Sequence, residues 1–301
     1  MLHLAHIINP VKVKDSSDLY HAQAITFESM LLAKGEAITS VKVDLFTTQY
    51  EEDREIIPQG FAILPNLKRS VLHVNPNLGN RKLPLIKDIL QTVSAHSDAE
   101  YFVYTNVDIG LMPSFYDFVV NKINKGHDAL VVNRRRLKGD YTKVQELPQI
   151  YTDLGHSHPG FDCFVFKREL LEKFVLGDIC VGVSFIGVAM AYNIFTWASN
   201  PLYVPDKHLT FHIGTDVLVP RNNSFYQHNR MEFNTKVRPA LKAHFDLKKF
   251  PYAALPFCKR ALKWMLNPSL STMDYLSLEG KSFFQKCKTR LDEIRWRILQ
   301  K

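Results

Sequence analysis

Short apolar runs alternate with amphipathic stretches along the first two hundred residues. Residues 3–9 (HLAHIIN) form an apolar run that stops before Pro10, which predicts a first strand. Asp15-Ser16-Ser17-Asp18 offers helix-capping side chains. Leu19, Ala22, Ile25, Phe27, Met30, Leu31 and Leu32 follow at mostly helical spacing, and Gly35 marks the expected stop. Residues 41–46 (VKVDLF) alternate as a second strand, and 70–74 are expected as a third. Residues 83–93 (LPLIKDILQTV) read as an amphipathic helix with Pro84 in its first turn, and 101–105 (YFVYT) as a buried strand. A helix over 115–123 and a strand over 129–132 come next. Residues 133–157 lack periodicity and are expected as a long loop or lid. A strand over 161–166, a short helix over 167–174 and an apolar, mostly helical stretch over 181–197 follow, then short strands over 202–205 and 209–212. This β-α-β succession predicts an α/β fold, a Rossmann-type mostly parallel sheet flanked by helices.

Beyond residue 234 the pattern changes. Residues 236–301 hold 15 Lys+Arg against 5 Asp+Glu, whereas the preceding 235 hold 23 against 25. The net charge of +8 therefore belongs to the C-terminal segment. The expected division is a catalytic body over 1–235 and a basic amphipathic helical extension over 236–301. Within 245–301, Lys248, Lys249, Lys259, Arg260 and Lys263 interleave with Phe250, Phe257 and Trp264, and Arg290, Arg295 and Arg297 with Trp296 and Ile298. Such a pattern suits an anionic membrane surface, where each cation contributes about 1 kcal/mol. It equally suits a helix packed on the body or on a second copy of the chain, a homo-oligomer. Nucleic acid ranks lower, because the body is slightly acidic and no nucleic-acid motif occurs.

Composition narrows the class further. Apolar residues at 46% and charged residues at 23% exclude a disordered or fibrous chain. No apolar run reaches ~18 residues, so no membrane-spanning helix is expected. The first residues lack a basic stretch followed by an apolar core, so no signal peptide is expected. Cys163, Cys180, Cys258 and Cys287 are widely spaced and read as reduced thiols of a cytoplasmic protein, one placed peripherally at the inner membrane face if the tail binds there.

The chemistry concentrates in residues 99–112 (AEYFVYTNVDIGLM). In open α/β sheets ligands bind beyond the carboxyl ends of the strands, where Thr105, Asn106 and Asp108 are expected. Asn106 and Asp108 are two apart, so an extended backbone sends both side chains from one face. An amide oxygen and a carboxylate there suit Mg2+ or Mn2+ shared with diphosphate oxygens. The plainer reading is an Asn/Asp turn that closes the strand.

The stretch resembles the DXD-type motif of GT-A glycosyltransferases, with Asn106-Val107-Asp108 as a variant whose first Asp is replaced. Three further features match that family's layout over roughly residues 3–216. Asn9 ends the first strand, where such enzymes hold the nucleoside. Arg81 and Lys82 open the helix before the motif strand, where cations meet diphosphate. His212 lies near the end of the body, where many members place a metal-ligand histidine. The resemblance implies a nucleotide-sugar donor, a glycan or lipid-linked acceptor in surface polysaccharide synthesis, and Mn2+ or Mg2+ on Asp108 and His212. It also implies a pocket lined by the segment His158-Pro159-Gly160-Phe161-Asp162. An inverting enzyme needs a carboxylate to take the acceptor proton; Asp162 is the first candidate and Asp178 the second. Arg134-Arg135-Arg136 suits a phosphate or an anionic acceptor, or else a solvated loop.

Two other readings remain. A nucleotidyltransferase on a similar sheet needs a glycine-rich loop after the first strand, and Asn9 to Lys14 contains no glycine. A non-catalytic membrane- or partner-binding module would use the sheet only as a scaffold.

Overall fold

The computed structural model describes residues 1–158, 160–214 and 222–266. β1 (Leu2–Ile8), α1 (Asp18–Glu36) and β2 (Val41–Thr47) form a parallel β-α-β unit, in register from Leu2 opposite Val41 to Ile8 opposite Thr47. β3 (Ala62–Ile63) adds to the outer side of β2. Residues 70–74, expected as a strand, form instead a single helical turn, α2 (Val71–Val74). There the Ser70 N–H donates to His73 Nδ1 at 3.0 Å, a local bond that competes with strand pairing. α3 (Ile86–His96) starts three residues later than expected. Pro84 and Leu85 stay extended because the Val181 N–H donates to the Pro84 carbonyl and Leu85 bridges Cys180.

β4 (Tyr101–Thr105) pairs in parallel with the other side of β1. The chain continues through β5 (Ile109–Leu111), α4 (Phe115–Asn124), β6 (Ala129–Val132), β7 (Arg135–Arg136), α5 (Leu147–Thr152), β8 (His156–Ser157) and β9 (Cys163–Lys167). It then runs through α6 (Ile186–Trp197), β10 (Pro201–Val204), β11 (Thr210–His212), α7 (Ser224–Glu232), α8 (Arg238–Lys242) and α9 (Phe257–Leu266). The main sheet has the order β10-β6-β9-β4-β1-β2-β3. It is mostly parallel, as expected; β9 alone runs against its neighbours β4 and β6. The reason is topological. Val132 ends β6 directly opposite Cys163, the first residue of β9, so the segment between them leaves and re-enters at one edge. That segment, expected as a loop or lid, carries two strands and a helix. β7 and β8 join β5 and β11 in a second sheet, ordered β5-β11-β7-β8.

Alternation along the central strands builds two core layers. Phe102 and Tyr104 of β4 face α3 and α6, where Ile89, Val93, Ala189 and Met190 are buried. Tyr101 and Val103 face α1 and α4, with Phe27, Met30, Phe115 and Val119. The boundary expected at 235 falls inside the packed body. Phe233, Val237, Leu241, Phe250 and Trp264 are buried in the same cluster as Tyr192 and Phe195 of α6, and Trp264 Nε1 donates to the Pro251 carbonyl at 2.8 Å. The described part of the basic segment thus turns Phe250 and Trp264 into the core instead of toward a membrane. The expected helix over 283–298 and Cys287 lie outside the described residues. Among the described residues no helix is long and apolar enough to cross a membrane, and Cys163, Cys180 and Cys258 are free thiols.

Two glycines test this packing in opposite directions. A Cβ on Gly187 of α6 would lie 2.4 Å from the Phe161 carbonyl oxygen, a backbone atom that cannot yield cheaply. Gly187→Ala is expected to destabilise by about 1–3 kcal/mol. Gly35, exposed in the last turn of α1, has open space around a new Cβ, and Gly35→Ala is expected to stabilise by about 0.5 kcal/mol. Urea denaturation of both variants checks the pair; equal midpoints would contradict the packing of α6 on Phe161.

Candidate active site

The strand pairings bring five chain segments to one edge. β1, β2, β4 and β6 finish there, and β9 begins there with Cys163 opposite both Thr105 and Val132. Asn9, Thr48, Asn106, Asn133 and Asp162 therefore lie side by side along the carboxyl edge of the parallel strands, where α/β sheets bind ligands.

After Thr105 the backbone turns: the Ile109 N–H donates to the Asn106 carbonyl at 3.2 Å. Asn106 and Asp108 are thus not successive outward positions of an extended strand, and the expectation of a shared face fails. The Asn106 Oδ1 accepts from the Tyr104 hydroxyl at 2.9 Å. Asp108 is carried across to the second sheet, where β5 pairs antiparallel with β11 and Ile109 sits opposite His212. The Ile213 N–H donates to the Asp108 carbonyl. This pairing places Asp108 Oδ2 3.3 Å from His212 Nε2, with the Asp108 side chain 30% exposed and that of His212 8%. The second carboxylate oxygen, Oδ1, is shielded and accepts no hydrogen bond among the described residues.

A carboxylate with an idle oxygen facing an imidazole nitrogen fits a divalent cation such as Mn2+. Among the described residues no third His, Cys, Asp or Glu joins them as a closed metal cluster. Asp108 and His212 are the residues that would hold such a cation.

Two features beneath the turn were not visible in the sequence. The first is His6, lost within the apolar run of β1. Its Nε2 meets Thr105 Oγ1 and its Nδ1 the Tyr116 hydroxyl, both at 2.9 Å. Burial pushes its pKa down to about 3, so the ring is neutral. The second is Gly110. A Cβ there would lie 2.3 Å from the Phe211 ring. Only glycine lets Phe211 lie across β5 while His212, the next residue, meets Asp108.

The other expected residues are placed as follows. Asp162 is buried, and Arg134 Nη1 donates to its Oδ1 at 2.5 Å while His158 Nδ1 lies 3.6 Å from Oδ2. Burial raises its pKa, but the His158 hydrogen bond and the Arg134 charge outweigh that and hold it below the ordinary carboxylate range. This is an ionic clamp between the ends of β6 and β9. Asp178 pairs with Lys236 at 3.2 Å, and Lys236 also reaches Glu232. Asn9 Nδ2 donates to the Thr48 carbonyl at 2.6 Å, tying the ends of β1 and β2. The following loop is pinned by the Lys12 N–H donating to the buried Asp53 at 2.7 Å. Lys82 Nζ stands 4.0 Å from the centre of the Tyr50 ring and 2.7 Å from Glu52. Arg81 is exposed, near Phe225. Both precede the first turn of α3 instead of opening it. Arg134 and Arg135, for which a solvated loop was one reading, are engaged: Arg135 with Asp206 and with the carbonyls of Leu154 and Gly155. Beside His212 opens a shallow cleft of about 120 Å³, lined by Arg136, Leu137, Gly139, Asp140, Tyr141, Ile213 and Gly214.

Comparison of the sequence with family models and with curated proteins gives no match. Solved structures do resemble the fold. Staphylococcus aureus TarS (residues 1–349), in complex with UDP-GlcNAc, is 10% identical with a TM-score of 0.46, covering 92% of this chain and 76% of that one. Mycobacterium tuberculosis glucosyl-3-phosphoglycerate synthase, in complex with Mn2+, UDP and glucosyl-3-phosphoglycerate, is 14% identical with a TM-score of 0.45, covering 80% of each chain.

His6 sets a measurable pH dependence. The unfolded chain binds a proton near the ordinary histidine value of 6.5, which the folded chain refuses until about pH 3. The stability His6 contributes is complete above pH 6.5 and is lost as pH falls toward 3, by up to about 1.4 kcal/mol per pH unit. Urea denaturation from pH 7 to 4 should show this slope in the wild type and a flatter one in His6→Gln. Identical slopes would mean that His6 is not buried as a neutral ring.

Proposed function

We propose that the protein is a GT-A-type glycosyltransferase that moves a sugar from a nucleotide-sugar donor to a hydroxyl-bearing acceptor. The observation that carries this reading is the meeting of Asp108 and His212, 104 positions apart, beside the carboxyl edge of the parallel strands. Donor cleavage releases a nucleoside diphosphate, whose charge must be neutralised as the bond to the sugar breaks. Asp108 and His212 would hold Mn2+ or Mg2+, which when bound supplies Lewis-acid stabilisation to those diphosphate oxygens.

The chain's own residues shape the rest. The tied ends of β1 and β2, at Asn9 and Thr48, offer backbone and amide groups at the position for the nucleoside. Arg81 and Lys82 add positive charge on the approach to α3, where phosphate oxygens gain most from it. Asp162, locked to Arg134 and His158, suits the positioning of the β6 and β9 ends better than acceptance of the acceptor proton, because a carboxylate with a lowered pKa is the weaker base. Asp178, a quarter exposed beside Lys236, remains the second candidate for that proton. A surface polysaccharide or glycolipid as the end product belongs to this proposal as well, with the cations of residues 245–301 to meet an anionic membrane.

Thermal-shift measurement with nucleoside diphosphates, with and without Mn2+, tests the reading directly. A ligand at 100 times its Kd stabilises the folded state by about 2.7 kcal/mol, which raises Tm by several degrees for a chain of this size. Asp108→Ala is expected to abolish the Mn2+-dependent part of the shift and to lower transfer by two orders of magnitude or more. The absence of a shift with every nucleoside diphosphate, or an unchanged Mn2+ effect in Asp108→Ala, would overturn it.

A further inference from the structure

We propose that the buried polar face of α7 is a positioning device for the sugar being transferred: His228, Asn229 and Glu232 hold the loop 177–185 in the shape that receives it. The identity of the ligand rests on the glycosyltransferase reading, while the clamp follows from the hydrogen bonds of α7 alone. The loop leads from Gly177 into the first turn of α6, and its place is fixed from two sides. Toward α3, the Val181 N–H donates to the Pro84 carbonyl at 2.8 Å and the Ile86 N–H to the Ile179 carbonyl at 3.0 Å. Arg81 and Lys82 immediately precede that segment. Toward β9, Gly187 lies against the Phe161 carbonyl, beside Asp162. The loop thus stands at the carboxyl edge, between the cations on the approach to α3 and the start of β9. A group joined to a diphosphate near those cations meets this loop. Gly182 and Ser184 are its exposed residues. They offer a hydroxyl and peptide groups, neutral partners suited to the hydroxyls of a sugar.

The loop does not rest in an easy conformation. Phe185 adopts left-handed backbone, φ +87°, without a glycine's freedom. A bulky residue stays there only where its surroundings impose it, and such strain concentrates at ligand-binding segments. Here α7 and the residue after it impose it. The Phe185 ring packs on Tyr226 at 5.4 Å and on Phe233 at 5.7 Å between centroids. The backbone of the loop is held by side chains. Asn229 Oδ1 accepts from the Cys180 N–H at 2.9 Å, and its Nδ2 donates to the carbonyls of Cys180 at 2.9 Å and Ser184 at 3.0 Å. Glu232 Oε2 accepts from the Asp178 N–H at 2.9 Å, and His228 Nε2 donates to the Asp178 carbonyl at 2.9 Å. Asn229 is fully buried, and His228 and Glu232 nearly so. A buried network whose members are paired in this way specifies one backbone shape, and a substrate-binding loop gains from being set in advance.

Isothermal titration of the full chain in Mn2+ tests this, with the nucleoside diphosphate that raises Tm and with its glucose, galactose and N-acetylglucosamine esters. In Asn229→Leu the affinity for the best sugar ester should fall about tenfold, while that for the diphosphate stays within about twofold. Retained diphosphate binding also shows that the variant folds. If Asn229→Leu does not fold, Asn229→Asp carries the same test, since it keeps the bond from the Cys180 N–H and loses those to the two carbonyls. Glu232→Leu should act as Asn229→Leu does, and Glu232→Gln, which keeps an oxygen for the Asp178 N–H, much less. Hydrogen exchange in Asn229→Leu should quicken at residues 178–181 and leave β9 and the body of α6 protected. An equal fall for diphosphate and sugar ester, an unchanged sugar-ester affinity, or an equal loss in Glu232→Gln and Glu232→Leu overturns the proposal. If no nucleoside diphosphate or sugar ester binds the wild type, the glycosyltransferase reading fails and the sugar with it. The exchange pattern then decides the clamp alone: quickening confined to the loop upholds it, and quickening spread over α6 and β9 refutes it.

Discussion

Three residues of β-structure hold the centre of this protein together. Ile109–Leu111 pairs with Thr210–His212, a segment about a hundred residues later, and that pairing alone brings Asp108 to His212. Both sides of the short strand are secured. The Leu111 N–H donates to the Ser29 hydroxyl of α1 at 3.0 Å, and Gly110 leaves the room that the Phe211 ring occupies. A one-residue slip would exchange Phe211 and His212 between faces, burying the imidazole and exposing the ring. The hydrophobic demand of Phe211 thus specifies the position of the polar residue beside it.

The polar groups at the sheet edge follow a consistent logic. Buried polar atoms are costly unless paired. His6 is satisfied by two hydroxyls on separate elements, Thr105 and Tyr116. Asp162 is satisfied by Arg134 and His158. Removing one partner of such a buried ion pair typically costs about 3–5 kcal/mol, because the remaining charge stays uncompensated. Both sets join strand ends to their neighbours. The edge is accordingly a rigid frame in which Asp108 Oδ1 and Asn133 Oδ1 are shielded oxygens with no hydrogen bond among the described residues.

The basic C-terminal segment shows how charge and packing separate within one stretch. Its cations raise the net charge, but Phe250 and Trp264 lie in the core against α6, and Lys249 donates to the Ala198 carbonyl at 2.8 Å. Arg260 likewise caps the carbonyls of Ala253 and Leu255. Long cationic side chains cover apolar surface with their stems while their heads find carbonyl oxygens or water. A basic aromatic pattern was therefore compatible with either a membrane face or a core face, and the apolar demand of α6 drew Phe250 and Trp264 into the core.

Sequence by itself determined the layered α/β class, because period-2 and period-3.6 patterns record which face of each element is buried. It placed β1, β2, β4, β6 and the helices α1 and α4 nearly to the residue. It also offered Asp108 as a chemistry-bearing side chain, and the family resemblance added His212. Only the tertiary structure decided that these two meet, since two- and three-residue strands hold too few positions to show any periodicity. The same holds for β7 and β8 within the expected loop, for the helical turn at 71–74, and for the reversed direction of β9. His6 stayed hidden because a histidine inside an apolar run carries no signal of the hydroxyls it will meet from β4 and α4. Contacts between distant segments are set by packing and by the pairing of backbone groups across the fold, and neither leaves a local mark on the chain.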